Sequence, residues 1–125
     1  MTHKILIADD EPNIVISLEY LLQREGYAVL VARDGQEALD TIARERPALV
    51  LLEVRMPHQT GFEVCQAVRA GEALQGTKIL MLTAKGRETD LAKGLALGAN
   101  AYMTKPFSTR ELVQKVAELL GEAPA

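Results

Sequence analysis

Short apolar runs alternate with stretches of helical period along the whole chain. Lys4–Ala8 (KILIA) predicts a first strand. Ile14, Leu18, Leu21 and Leu22 then recur at helical spacing, with Pro12 near the start and Gly26 at the stop. Ala28–Ala32 (AVLVA) predicts a second strand. Asp34 with Glu37 resembles a capping box, ahead of a second helix with Ala38, Leu39 and Ile42 on its buried stripe and Pro47 closing it. Ala48–Leu52 predicts the third strand, and a third helix is expected from about Phe62 to Arg69. Lys78–Leu82 (KILML) predicts the fourth strand. Glu88–Leu97 predicts the fourth helix, with Leu91 and Leu95 inward and Gly98 as its stop. Ala101–Met103 reads as a short fifth strand. Ser108 and Glu111 read as a capping box for a last helix carrying Leu112, Val116 and Leu119.

This order is strand then helix, repeated to the end. The first, third and fourth runs are apolar on consecutive residues, the signature of strands buried on both faces. Right-handed crossovers then give an α/β fold, a doubly wound parallel sheet of five strands with helices on both faces. One domain over residues 1–121 is expected, with 122–125 as a C-terminal tail; GEAPA reads as a frayed end.

Composition narrows the classes. The chain has 125 residues, 48% hydrophobic and 25% charged, which suits one compact domain. A net charge of −3 with scattered Lys and Arg argues against binding nucleic acid or anionic lipid. Cys65 is the only cysteine, read as a small core residue in a reducing compartment. The N-terminal MTHKILIADD does not read as a signal peptide, and no apolar run approaches the ~20 residues of a membrane span. The expected address is the cytoplasm.

In an open parallel sheet, ligands bind beyond the carboxyl ends of the strands. Asp9, Asp10 and Glu11 follow the first strand, Glu53 the third, Thr83 and Ala84 the fourth, and Thr104, Lys105 and Pro106 the fifth. All strands point one way, so these groups meet at one edge. Carboxylates crowded there repel by about 4 kcal/mol per pair at ~4 Å and an effective dielectric near 20. Lys105 is one candidate to offset this. A divalent cation is the other, and hard oxygen ligands with no His or Cys beside them favour Mg2+. Acid, metal, lysine and hydroxyl together suit a phosphoryl group.

With KILIADDEP, LVLLEVRMPHQTGFEV, ILMLTA and GANAYMTKPF in this order, the chain resembles the receiver domain of bacterial two-component response regulators over essentially its whole length. The resemblance implies the flavodoxin-like strand order 2-1-3-4-5. It implies that Asp9 and Asp10 help bind Mg2+ and that the backbone carbonyl of Arg55 is a further ligand. Thr83 matches the switch hydroxyl, Tyr102 the aromatic switch residue, and Lys105 the phosphate-contacting lysine, whose bond to Pro106 is typically cis. It also implies a sensor histidine kinase or phosphotransfer protein as donor, and a downstream partner on the surface of the fourth helix, fifth strand and fifth helix.

Glu53 departs from the family, which places an aspartate there as phospho-acceptor. Its carboxylate reaches about 1.5 Å farther, into the space an aspartyl phosphate would fill. It either imitates the phosphorylated state in part, carrying −1 where phosphate carries nearly −2, or blocks phosphorylation and leaves an inactive pseudo-receiver scaffold. Transfer onto Glu53 itself would need the nucleophile held within fractions of an ångström.

Each residue also has an ordinary reading. Asp10 or Glu11 could be a charge at a helix N-terminus, Thr83 the end of a strand, Lys105 a solvated loop lysine, Tyr102 a half-buried strand aromatic. His58, His3, Lys85 and Arg87 read as surface groups. Agreement among the loops favours the site. Two rival classes fit less well. A small Mg2+-dependent phosphotransfer enzyme lacks a second aspartate two residues after Glu53 and an insertion for a cap. A nucleotide or flavin domain lacks a glycine-rich loop in ADDEPN. With no output motif in the sequence, a stand-alone regulator or an excised fragment is expected.

Overall fold

A computed structural model describes residues 3–56, 59–84 and 88–122, excepting the side chains of Glu88 and Leu91. The order is β1 (Lys4–Ala8), α1 (Pro12–Arg24), β2 (Ala28–Ala32), α2 (Gly35–Glu45), β3 (Leu49–Glu53), α3 (Gly61–Ala70), a 3-10 turn at Glu72–Leu74, β4 (Lys78–Ala84), α4 (Glu88–Ala96), β5 (Ala101–Lys105) and α5 (Thr109–Leu119). The strands form one parallel sheet in the order β2-β1-β3-β4-β5. Fold class and strand order are as expected. No helix among the described residues is long and apolar enough to cross a membrane.

Successive strand residues face opposite sides of the sheet, so the consecutive apolar runs feed two cores. Leu6, Val50, Leu52, Ile79 and Met81 pack with Ala38 and Ile42 of α2 and Val64, Cys65 and Val68 of α3. Ile5, Ile7, Leu49, Leu51, Leu80 and Leu82 pack with Val15, Leu18 and Leu22 of α1 and Leu112 and Val116 of α5. Each large side chain buried this way contributes about 1.5–3 kcal/mol. Cys65 is buried and free, as expected.

Several local expectations are corrected. Leu95 is not inward; it is 41% exposed. Among the described residues of α4, Gly94 faces the sheet, where an added Cβ would come within 2.3 Å of Met81 Sδ. The close approach of α4 at Gly94 sets the helix phase and turns Leu95 outward. Leu91, His58, Lys85 and Arg87 lie outside the described side chains. The expected capping boxes at Asp34 and Ser108 are half made: each side chain accepts from the backbone N–H of Glu37 or Glu111. The complete box is at Thr60 and Glu63, starting α3. β4 and β5 run two residues farther than expected, to Ala84 and Lys105, because Thr83 pairs with Thr104 and Ala84 with Lys105. At the other end, the Asn100 side-chain carbonyl accepts from Ile79 N–H (2.8 Å) and from Arg69 (2.7 Å), tying β5 to β4 and α3. Beyond α5, Glu122 accepts from the Tyr27 hydroxyl.

Gly61 holds the end of β3 in place. A Cβ there would lie 2.4 Å from the Glu53 carbonyl oxygen, and Gly61 N–H donates to Val54 O at 2.8 Å. The start of α3 is thus pressed on the end of β3. Because the obstacle is backbone, Gly61→Ala is expected to destabilise by about 1–3 kcal/mol, with a fall of several degrees in Tm. Gly76→Ala, with open space at its Cβ, is expected to leave stability unchanged or raise it by at most about 1 kcal/mol. Paired thermal melts check both; equal Tm values would refute the close packing at residue 53.

Candidate functional site

The parallel sheet brings the carboxyl ends of β1, β3, β4 and β5 to one edge, where the polar residues that interrupt the apolar runs are found. Asp9 continues from β1; its N–H donates to Ala32 O of β2 (3.0 Å), and its side chain is fully buried. Glu53 is the last residue of β3 and 6% exposed. Thr83 on β4 is fully buried. Lys105 ends β5, with a side chain 13% exposed, and its bond to Pro106 is cis, as expected.

The Lys105 ammonium gathers this edge. Its Nζ lies 2.9 Å from Asp9 Oδ2, 3.1 Å from Glu11 Oε1 and 2.8 Å from Glu53 Oε2. Burial works against its charge, but Glu53 and Asp9 more than offset this and hold its pKa above the usual lysine value. Glu53 is shifted upward as well. Burial is the main cause and the Asp9 charge adds to it, against the pull of Lys105 and of the Arg55 N–H, which lies 3.4 Å from Glu53 Oε1. The pair is thus held together in a setting that resists the carboxylate's charge.

Two buried oxygens among the described residues lack an aligned hydrogen-bond donor or acceptor: Glu53 Oε2, whose contact with Lys105 is close but off-axis, and Thr83 Oγ1. A buried polar atom without a partner costs about 1–3 kcal/mol. Thr83 sits on β4 one position beyond Leu82, the register partner of Glu53, so both unpartnered oxygens are at the same edge.

Of the residues expected at the site, Asp9 and Glu53 each contact Lys105, and Thr83 lies at the same edge of the sheet. Asp10 is exposed. Arg55 lies two residues past the end of β3, and its guanidinium reaches away to α4, where Nη2 lies 3.2 and 3.0 Å from the Asp90 carboxylate oxygens. Tyr102 is 46% exposed. Sequence reasoning placed Glu11 at this edge with Asp9 and Asp10, or as a helix N-terminal charge, but did not pair it with Lys105, and it gave no role to Asp90. The run of three acids was a signal for Glu11, whereas nothing local marks Asp90 as a partner of a residue 35 positions earlier.

The oxygens suit a hard cation in kind. No group of three His, Cys, Asp or Glu among the described residues is placed to hold a metal; Lys105 stands among the carboxylates instead. Mg2+ takes only one or two protein carboxylates and keeps several waters, so this donor set still fits it.

Residues 5–117 match the family described as "Response regulator receiver domain". The chain is 48% identical over 120 residues to the alkaline phosphatase synthesis transcriptional regulatory protein PhoP of Bacillus subtilis, covering 96% of this chain and 49% of that protein. It thus spans about half the length of this relative. A response regulator of Chloroflexus aurantiacus superposes with a TM-score of 0.93 at 36% identity, over 98% of this chain and 100% of that one. The receiver domain of a sensor histidine kinase of Pseudomonas aeruginosa, solved with magnesium coordinated in its active-site cleft, superposes with a TM-score of 0.89 at 30% identity, over 98% and 100%. Strand order, the acid–lysine edge and these matches agree: the chain belongs to the response regulator receiver domain family of two-component signalling.

Proposed function

We propose that this domain is a phosphorelay switch and docking module whose phosphoryl-receiving position is filled by Glu53. The observation that carries this is the 2.8 Å contact between Glu53 Oε2 and Lys105 Nζ. A phosphoryl group at residue 53 would need that ammonium, and the longer acidic side chain already takes it. By the family resemblance, Asp9, Asp10, Glu53 and the Arg55 carbonyl would hold Mg2+; that a relative was solved with magnesium in its active-site cleft supports a metal at this edge. When bound, the metal supplies positive charge to offset the carboxylates and phosphoryl oxygens. Asp9 and Lys105 orient the group at residue 53, and burial excludes water from it.

Glu53 satisfies one arm of the switch. Thr83 Oγ1 has no hydrogen-bond partner among the described residues and Tyr102 stands exposed, as suits an unswitched state. A shift from 1:99 to 99:1 needs about 5.5 kcal/mol of differential interaction, and an ion pair to one lysine falls short of it. Imitation of the phosphorylated state is partial at most. Its limit is the inactive scaffold, favoured by the unpartnered Thr83 hydroxyl. Partners would be a sensor histidine kinase or phosphotransfer protein, and a downstream protein on the α4-β5-α5 face, where Leu95 and Tyr102 are exposed. With a net charge of −3, we assign this domain no role on nucleic acid or membrane. A cytoplasmic setting and a signalling role without turnover complete the reading.

An Mg2+ titration followed by beryllofluoride, on this chain and on its Glu53→Asp variant, tests this. The variant is expected to respond with shifts of the Thr83 amide and Tyr102 ring resonances, and this chain is not. Resonances of this chain lying between those of the variant with and without beryllofluoride would mark partial imitation; coincidence with the untreated variant would leave only the scaffold. A full response of this chain would refute the reading.

Lys105→Met should leave Glu53 and Asp9 without their cation and destabilise the fold by about 3–5 kcal/mol at neutral pH. The deficit has a defined pH course. A buried carboxyl with a raised pKa penalises the fold where it is ionised. The penalty is therefore complete above the folded pKa of Glu53 and fades as pH falls toward the unfolded value near 4.3. Urea melts across pH check this; a deficit independent of pH would count against the charge argument.

A further inference from the structure

Glu11 sits at a helix cap and does not cap. It is the N-cap residue of α1, with extended backbone, and its side chain makes no cap hydrogen bond. Its N–H donates to Asp9 Oδ1 at 2.9 Å, which holds the residue beside the pocket, and its carboxylate turns to Lys105. That carboxylate is on a side chain 61% exposed, whereas the side chains of Asp9 and Glu53 are 0% and 8% exposed. Lys105 therefore has two buried anionic partners and one solvated one.

We propose that Glu11 is a positioning residue: an exchangeable arm on Lys105 that sets how strongly the lysine engages a phosphoryl group at residue 53. This rests on reading residue 53 as the phosphoryl-receiving position. An ammonium has three N–H donors, and three carboxylate oxygens lie within 3.1 Å of Nζ. In this chain a phosphoryl oxygen can approach only if one withdraws; with aspartate at residue 53 the shorter side chain vacates one position, and Glu11 still competes for the ammonium. Asp9 is locked by burial and by the Glu11 N–H. The carboxylate of residue 53 carries the phosphoryl group and moves with it. Glu11 has water to retreat into. While it stays, it occupies Lys105 and repels an incoming anion. Exposed ion pairs of this kind shift equilibria by up to about fivefold, and salt screens them.

The test is a beryllofluoride titration in excess Mg2+ on the whole chain carrying Glu53→Asp, alone and with Glu11→Gln or Glu11→Ala, at low and high ionic strength. Both Glu11 variants are expected to lower the apparent Kd by about two- to fivefold at low salt, with most of that ratio lost at high salt and Tm unchanged. An unchanged or higher Kd, with or without a fall in Tm, while the Glu53→Asp parent binds, would assign Glu11 a merely structural role and overturn the proposal alone. If the parent itself fails to bind beryllofluoride, the reading of the site falls and the proposal with it.

Discussion

One ammonium among three carboxylates is the constraint on which this molecule's functional edge depends. Lys105 reaches Asp9, Glu11 and Glu53 from the end of β5, and these acids come from the ends of β1 and β3. Without that cation, two nearly dry carboxylates would face each other at the carboxyl edge of the sheet. Several kcal/mol per desolvated ion is the scale of the penalty. The apolar runs of β1, β3 and β4 can be buried on both faces because the charge they deliver is gathered at a single point.

The same contact explains the consequence of a glutamate at the end of β3. An aspartate there would be shorter by about 1.5 Å and would leave space before Lys105. The extra methylene closes that space within the chain itself. It does so with one carboxylate rather than a phosphoryl dianion, and it leaves the Thr83 hydroxyl without a partner among the described residues. The pocket is thus occupied on its lysine side and unanswered on its hydroxyl side. The Arg55 guanidinium, two residues further along the chain, is committed to Asp90 on α4. The loop after Glu53 is therefore tied to the helix that borders the exposed Leu95 and Tyr102.

How tightly the residue-53 backbone is held depends on Gly61, which leaves no room for a side chain against the Glu53 carbonyl. The capping box at Thr60 and Glu63 fixes where α3 begins. These local devices place the acid where a strand end alone would leave it free to shift.

Much of this was legible in the chain. Runs such as LVLL and KILML are apolar on consecutive residues, and only a strand covered on both sides satisfies them, so the layered parallel sheet follows from burial alone. Once all strands run one way, Asp9, Glu53, Thr83 and Lys105 must share an edge, because each lies at or just past a strand end. What sequence could not decide was set by distance and phase. The inward Leu95 fails because Gly94 lets α4 approach Met81, and helix phase is fixed by that contact rather than by hydrophobicity. The ends of β4 and β5 move because pairing of Thr83 with Thr104 extends the ladder past the apolar run. Which acids Lys105 takes, that Glu11 turns from its helix to join them, and that Arg55 turns away to Asp90 depend on side-chain reach in three dimensions. Local pattern determines which residues are buried and which come to the edge; only the folded packing decides which charges meet there, because electrostatic contacts are made across strands and loops that sequence order keeps apart.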